Sequence, residues 1–256
     1  MEYLHTLLYI CPLVFLAGFI DSSAGGGGLI SIPAFLLTGM PTHLAFGTNK
    51  LTAALGTSVA AGRFIKNRSV DFRTVVVSAL CSGLGAAGGS WLVLHLDDRA
   101  FRLLLIIALP CVAVFLLTRR KAGEVDNEEE TTPRRSALLA GIIGAGIGVY
   151  DGIIGPGTGT FAIIAYHAIM GYDYRTAAGN AKVLNLASNI GSIVTFLLAG
   201  HVLLLIALPA ALFNIAGNYV GSGIAIKRGA KFIRPMLVFV LALLLIKVVS
   251  DFIGML

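Results

Sequence analysis

The sequence predicts an all-α polytopic membrane protein made of two homologous repeats of inverted topology. Each repeat holds a re-entrant or short-helix hairpin plus three transmembrane helices, nominally eight spans if each hairpin counts as one. Three observations predict it. Of the 256 residues, 57% are hydrophobic and 12% charged, with mean hydropathy +0.88. Soluble chains run near 45–50% apolar and about 25% charged, so this chain cannot cover a core with a polar skin. Secondly, the chain repeats itself. Thirdly, the basic residues of its loops change sides between the repeats. Composition excludes soluble enzymes, disordered chains and disulfide-rich secreted domains. The long apolar runs also exclude an outer-membrane barrel, which would show alternating segments of roughly ten residues.

The repeat is read by self-comparison. Phe19-Ile20-Asp21 followed by Gly25–Gly28 returns 130 positions later as Val149-Tyr150-Asp151 followed by Gly155-Pro156-Gly157-Thr158-Gly159. After a two-residue insertion the offset is 132. Gly47-Thr48-Asn49-Lys50 matches Gly179-Asn180-Ala181-Lys182, Gly85 matches Gly217, and Gly89-Ser90 matches Gly221-Ser222. The expected organisation is a first repeat at 1–118, a charged linker at 119–135 and a second repeat at 136–256. The linker is the only strongly polar stretch, with five basic and five acidic residues.

In order, the first apolar run (4–20) lacks a basic leader and a clear cleavage site, so it belongs to the structure. A glycine-rich break and a short run (29–40) follow, then segments at 41–65, 73–96 and 101–118. The second repeat has the same plan at 136–150, 160–170, 175–199, 202–226 and 233–253. Segments of about 20 residues cross a hydrocarbon core of roughly 30 Å, whereas the short runs suit half-helices.

Loop charge sets the orientation. Arg63, Lys66, Arg68 and Arg73 flank one loop. Arg119, Arg120, Lys121, Arg134 and Arg135 flank the linker, and Lys227, Arg228, Lys231 and Arg234 a third loop. These are expected inside, with Arg99, Arg102, Arg175 and Lys247 at outer ends. The loop at 66–73 is basic but its mate near Gly200-His201 has no Lys or Arg, and the reverse holds for 97–102 and 227–234. This exchange predicts inversion, with an odd number of crossings per repeat. Both termini then face outside and the linker is cytoplasmic. A parallel arrangement of eight full spans is the alternative. The net charge of +6 is thus an orientation signal, and no nucleic-acid partner is expected.

The charges that fall inside the apolar segments carry the chemistry. Asp21 and Asp151 end an apolar run and precede the glycine breaks. Lys50 and Lys182 lie about seven to nine residues into the next segment, roughly 10–13 Å along it. Charges at that depth cost at least about 2.5–3.5 kcal/mol, so they are paired, functional or both. The breaks Gly25, Gly26, Gly27, Gly28 and Gly155, Gly157, Thr158, Gly159 would start half-helices whose N–H ends favour anions. Close packing is the competing reading there, and the preferred one for Gly18, Gly83, Gly85, Gly88 and Gly89. Asn49, Asn185 and Asn189 add amides to the lysine-bearing segments, either to hydrate an anion or to hold the hairpin tip.

No histidine pair has metal-ligand spacing, no phosphate-binding GxxxxGK[ST] occurs, and the three cysteines read as small buried hydrophobes. No cofactor or catalytic residue is expected. Two intramembrane aspartates also admit an aspartyl enzyme, but both precede equivalent glycine breaks and both come with a lysine.

The segments AGFIDSSAGGGGLISIPAFL (17–36), FGTNKLTAALGT (46–57), YDGIIGPGTGTF (150–161), AKVLNLASNIG (181–191) and AIKRGAKFIRPML (225–237) resemble the TauE/SafE family of membrane permeases. Gly179-Asn180 departs from the small or hydroxyl residues expected before Ala181-Lys182. The resemblance implies a secondary transporter of the cytoplasmic membrane for small sulfur-containing anions. The expected partners are a small anionic substrate and the lipid bilayer. Coupling to a proton or sodium gradient through Asp21 and Asp151, a channel mode and a homodimer are left open.

Overall fold

The computed structural model describes residues 2–97, 99–101, 103–104 and 133–253, without the side chains of 2–3, 133–135, 241 and 243–253. Most of the segment expected at 101–118, most of the 119–135 linker, Arg102, Cys111 and the Lys247 side chain lie outside the described residues.

All elements among the described residues are helices. They are α1 (Glu2–Ala24), α2 (Gly28–Leu36), α3 (Thr42–Lys66), α4 (Phe72–Leu94), α5 (Pro133–Ile153), α6 (Thr158–Ala168), α7 (Tyr174–Leu198), α8 (Leu204–Arg228) and α9 (Ala230–Ile253). The expected segments recur with small changes. Helices α1 and α5 run on past Asp21 and Asp151, so the acids lie within helices instead of ending them. Helix α5 begins inside the expected linker, with Pro133 as its first residue, where its missing N–H has no helical partner to lose. Helices α2 and α6 have 9 and 11 residues. At about 1.5 Å per residue they reach roughly 14 and 16 Å, half of a bilayer core.

Polarity is inverted relative to a soluble protein. Leu84 is 77% exposed and Leu198 85%, while Lys50, Lys182, Asn180 and Asp151 are buried. Exposed apolar surface of this extent needs lipid to cover it. Five helices among the described residues are long and apolar enough to cross a membrane, within α1, α4, α5, α7 and α8. Helix α3 has the length but not the hydropathy. Its Thr48, Asn49, Lys50, Thr52 and Thr57 are buried in the protein, so α3 is a core helix with neighbours on most sides.

Packing interleaves the chain. Helix α1 lies against α8, and α4 against α5, more extensively than any other pairs. Glycines set these approaches. A Cβ on Gly217 would meet Phe15 O at 2.1 Å and one on Gly221 would meet Phe19 O at 2.3 Å. The same contact recurs with partners exchanged: Gly85 against Ala145 O at 2.8 Å and Gly89 against Val149 O at 2.6 Å. Likewise Gly18 abuts Asn214 O and Gly148 abuts Ser82 O. Packing therefore explains Gly18, Gly85 and Gly89. Gly83 is in tight contact with Ala187 O at 3.3 Å, whereas Gly88 has nothing within 4 Å and is not explained by packing.

The loops follow the same exchange. Leu203 N–H donates to Thr48 Oγ1 at 3.0 Å, and Asp71 N–H donates to Asn180 Oδ1 at 2.9 Å. A Cβ on Gly47 would meet His201 O at 2.1 Å, and one on Gly179 would meet Ser69 O at 1.8 Å. Asn180 thus does what Thr48 does, so the departure noted in the sequence keeps the side-chain oxygen that the loop N–H needs. Asp71 caps α4 by accepting from Arg73 N–H, and it also accepts from the Thr74 and Tyr172 hydroxyls. Burial disfavours its charge, but these bonds outweigh burial and hold the carboxyl below its usual range. Arg175 lies beside Gly229, next to Lys227 and Arg228, and not at the opposite end with Arg99. Its expected grouping with the outer residues is corrected: Tyr172, Asp71 and Gly229 place it among the basic loops.

Candidate functional site

The two glycine breaks meet. A Cβ on Gly25 would fall 2.2 Å from the Gly159 carbonyl carbon and Cα, and one on Gly28 would fall 3.2 Å from Pro156 Cα. Gly25 has φ +77°, Gly155 +85° and Gly157 +86°, conformations that only glycine adopts freely. Thr160 Oγ1 donates to Ala24 O at 2.6 Å and ties one break to the other. Both half-helices therefore begin at the same place. The positive ends of the two helix dipoles converge here, with the Leu29, Ile30 and Thr158 N–H groups turned back onto Gly26 O, Gly27 O and Gly155 O.

Around this crossing the charged residues pair. Lys50 Nζ lies 2.7 Å from Asp151 Oδ2 and donates to the Asp151 backbone carbonyl at 2.7 Å. Lys182 Nζ lies 2.9 Å from Asp21 Oδ2. The pairing is crossed: each lysine takes the aspartate that precedes the other glycine break. The two pairs differ in their surroundings. Thr158 Oγ1 donates to Asp151 Oδ1 at 2.7 Å, and that carboxylate is 3% exposed. Among the described residues Asp21 has only the Thr57 hydroxyl besides, at 3.5 Å, and is 16% exposed.

A cavity of about 30 Å³ opens between these groups. A buried water needs roughly 10–15 Å³, so it has room for about two waters, and a larger guest requires movement. Of the residues singled out in the sequence, Asp21, Gly25, Gly27, Gly28, Asn49, Lys50, Asp151, Gly155, Thr158, Asn185 and Asn189 line it. Four do not. Gly26 packs on Val240, Gly157 caps α6, Gly159 is pressed against Gly25, and Lys182 sits fully buried behind Asp21. Sequence reading missed Ser31 and Asn214. Asn214 had a signal: it and Asn218 are amides one turn apart in the otherwise apolar 202–226 segment.

The lining is rich in amides. Asn49 Oδ1 is buried with no hydrogen-bond partner among the described residues, while the Asn189 amide reaches Asn185 Oδ1 only at 3.5 Å. Unsatisfied buried amides are costly and so point to a guest or water that satisfies them. The arrangement does not fit an aspartyl dyad, in which two carboxylates share one proton, because each carboxylate has its own lysine. Among the described residues no group of three or more His, Cys, Asp or Glu could hold a metal ion. His43 and His201 stand 5.5 Å apart between ring centres, a contact the sequence did not reveal.

The chain is 37% identical over 238 residues to a probable membrane transporter protein of Haemophilus influenzae, covering 93% of this chain and 92% of that one. It is 35% identical to the probable membrane transporter protein ORF9 of a Sinorhizobium species, over 96% and 94% of the two chains. It is 34% identical to the probable membrane transporter protein YfcA of Escherichia coli K12, over 98% and 95%. No solved structure matches the chain. The family described as sulfite exporter TauE/SafE matches residues 10–248, and the chain belongs to that family.

Proposed function

We propose that the protein is a secondary-active permease that moves a small anion of the sulfite, organosulfur or carboxylate class across the cytoplasmic membrane by alternating access. The observation that carries this reading is the convergence of two half-helix N-termini, Lys50 and a set of buried asparagines on one cavity, with Lys182 buried behind the cavity-lining Asp21. Helix N-ends and ammonium groups favour negative charge, and amides replace its hydration. The crossing of the breaks lies near mid-depth, since Lys50 and Lys182 are each the ninth residue of a 25-residue helix.

The two repeats, 1–118 and 136–256 with the linker between, are related by a pseudo-two-fold axis in the membrane plane. Support comes from the exchanged contacts, because a pair that recurs with its members swapped is the signature of two-fold symmetry. In this arrangement each hairpin re-enters, both termini face outside and the 119–135 linker is cytoplasmic. Arg175 then joins the inner basic residues, which strengthens the charge bias. Rocking of one unit against the other exposes the site alternately. The names of the relatives favour a transporter over an enzyme.

The test is ligand-dependent stability of the purified chain. A bound anion raises the unfolding temperature, by about 2.7 kcal/mol of stability when present at 100 times its Kd. Sulfite, sulfate, thiosulfate, sulfonates and small carboxylates form the panel. Stabilisation by a subset of these anions supports the reading, and indifference to all of them contradicts it.

A further inference from the structure

The four central charges cancel: two ammonium groups face two carboxylates. If the centre binds an anion as proposed above, it acquires a net negative charge where unpaired charge is most costly. Neutrality returns only if a cation enters with the anion. We infer that Asp21 takes up that cation as a proton, so that each monovalent anion crosses with one proton.

The geometry distinguishes Asp21 from Asp151. Asp151 has Lys50 Nζ 2.7 Å from Oδ2 and donating to its backbone carbonyl, and its Oδ1 lies 2.7 Å from the Thr158 hydroxyl, which is shared with Gly155 O at 2.6 Å. The position matching Thr158 in the first repeat is Gly28, which has no hydroxyl to give. Both contacts of Asp21 therefore fall on Oδ2, from Lys182 and Thr57, and no protein hydrogen bond falls on Oδ1 among the described residues. Asp21 is also the more exposed acid, and it borders the cavity. Oδ1 is the open place for a proton.

The other charged groups nearby can be named. Lys182 comes from α7, Lys50 from α3 and Asp151 from α5. The cavity-lining residues of α2, α6 and α8 are uncharged, Ser31, Thr158 and Asn214 among them, and Lys231 and Arg234 of α9 are exposed. A proton from the open side binds the Asp21 carboxylate. Lys182 then keeps one uncompensated positive charge, which the incoming anion balances. On the far side the anion and the proton both leave, and the Asp21–Lys182 ion pair re-forms.

The test uses the full chain in proteoliposomes, with a pH dye inside and the membrane potential clamped. Isethionate is the probe because a sulfonate carries no proton of its own. Sulfite is the second probe, with protein-free vesicles subtracting passive permeation. The expected result is inward acidification accompanying uptake, at a rate insensitive to the clamped potential. In D21N, exchange of internal for external anion persists, while acidification and accumulation driven by an acid exterior fall to the leak. Uptake without acidification, uptake that follows the potential, or a D21N variant that remains coupled overturns the inference. D151E keeps the carboxylate if D151N does not fold, and loss of coupling in a folded Asp151 variant with D21N coupled also overturns it. No uptake of either probe by the unmodified chain contradicts the carrier reading itself, and the proton assignment with it.

Discussion

Lys50 and Asp151 are 101 positions apart in the chain and 2.7 Å apart in space. Removing one partner of such a pair leaves the other charge buried and alone, at a cost of about 3–5 kcal/mol. K50A should therefore lower thermal stability sharply, and K50A combined with D151A should recover part of the loss. A double variant no more stable than K50A would contradict the pairing. Crowding at the crossing gives a second prediction. G25A must place a methyl group 2.2 Å from backbone atoms at a positive φ, which costs about 1–3 kcal/mol or more. G62A, with nothing within 4 Å, should instead be neutral or stabilising by up to about 1 kcal/mol. Unfolding temperatures of the two variants check the contrast.

At the scale of elements, the loop locks carry the argument. The Asn180 oxygen accepts the Asp71 N–H at the head of α4, as the Thr48 oxygen accepts the Leu203 N–H at the head of α8. N180T should keep that bond, whereas N180A should strand a half-buried N–H at a cost of about 1 kcal/mol. Equal melting of the two variants would contradict it. The helices themselves were legible because apolar run length and glycine punctuation are local properties. In the sequence each acid marks the end of an apolar run, because charge interrupts hydropathy. In the structure α1 and α5 continue through Asp21 and Asp151, since a lysine neutralises each carboxylate within the protein. Which lysine does so was not legible. Repetition reveals equivalent residues but not whether they pair within a repeat or across, and that depends on how the halves interleave. Asn214 was passed over for a related reason: it stands in a segment with no charge to draw attention to it.

For the whole molecule, the proposed topology makes a plain prediction. Cysteines introduced singly into a Cys-free background should react with an impermeant thiol reagent from outside the intact cell near Gly39 and Gly200, and not within 119–135 or beside Arg68. Outside labelling of the linker would contradict the orientation. The central claim is that the cavity bordered by the two lysine–aspartate pairs holds the anion. It is tested most directly by sulfite uptake into proteoliposomes containing either the unmodified chain or the combined variant K50M, K182M, D21N and D151N. That variant leaves no buried charge unpaired, so loss of function can be separated from loss of fold by its unfolding temperature. The account predicts uptake above protein-free vesicles for the unmodified chain and none above them for a folded variant. Equal uptake by both would contradict it.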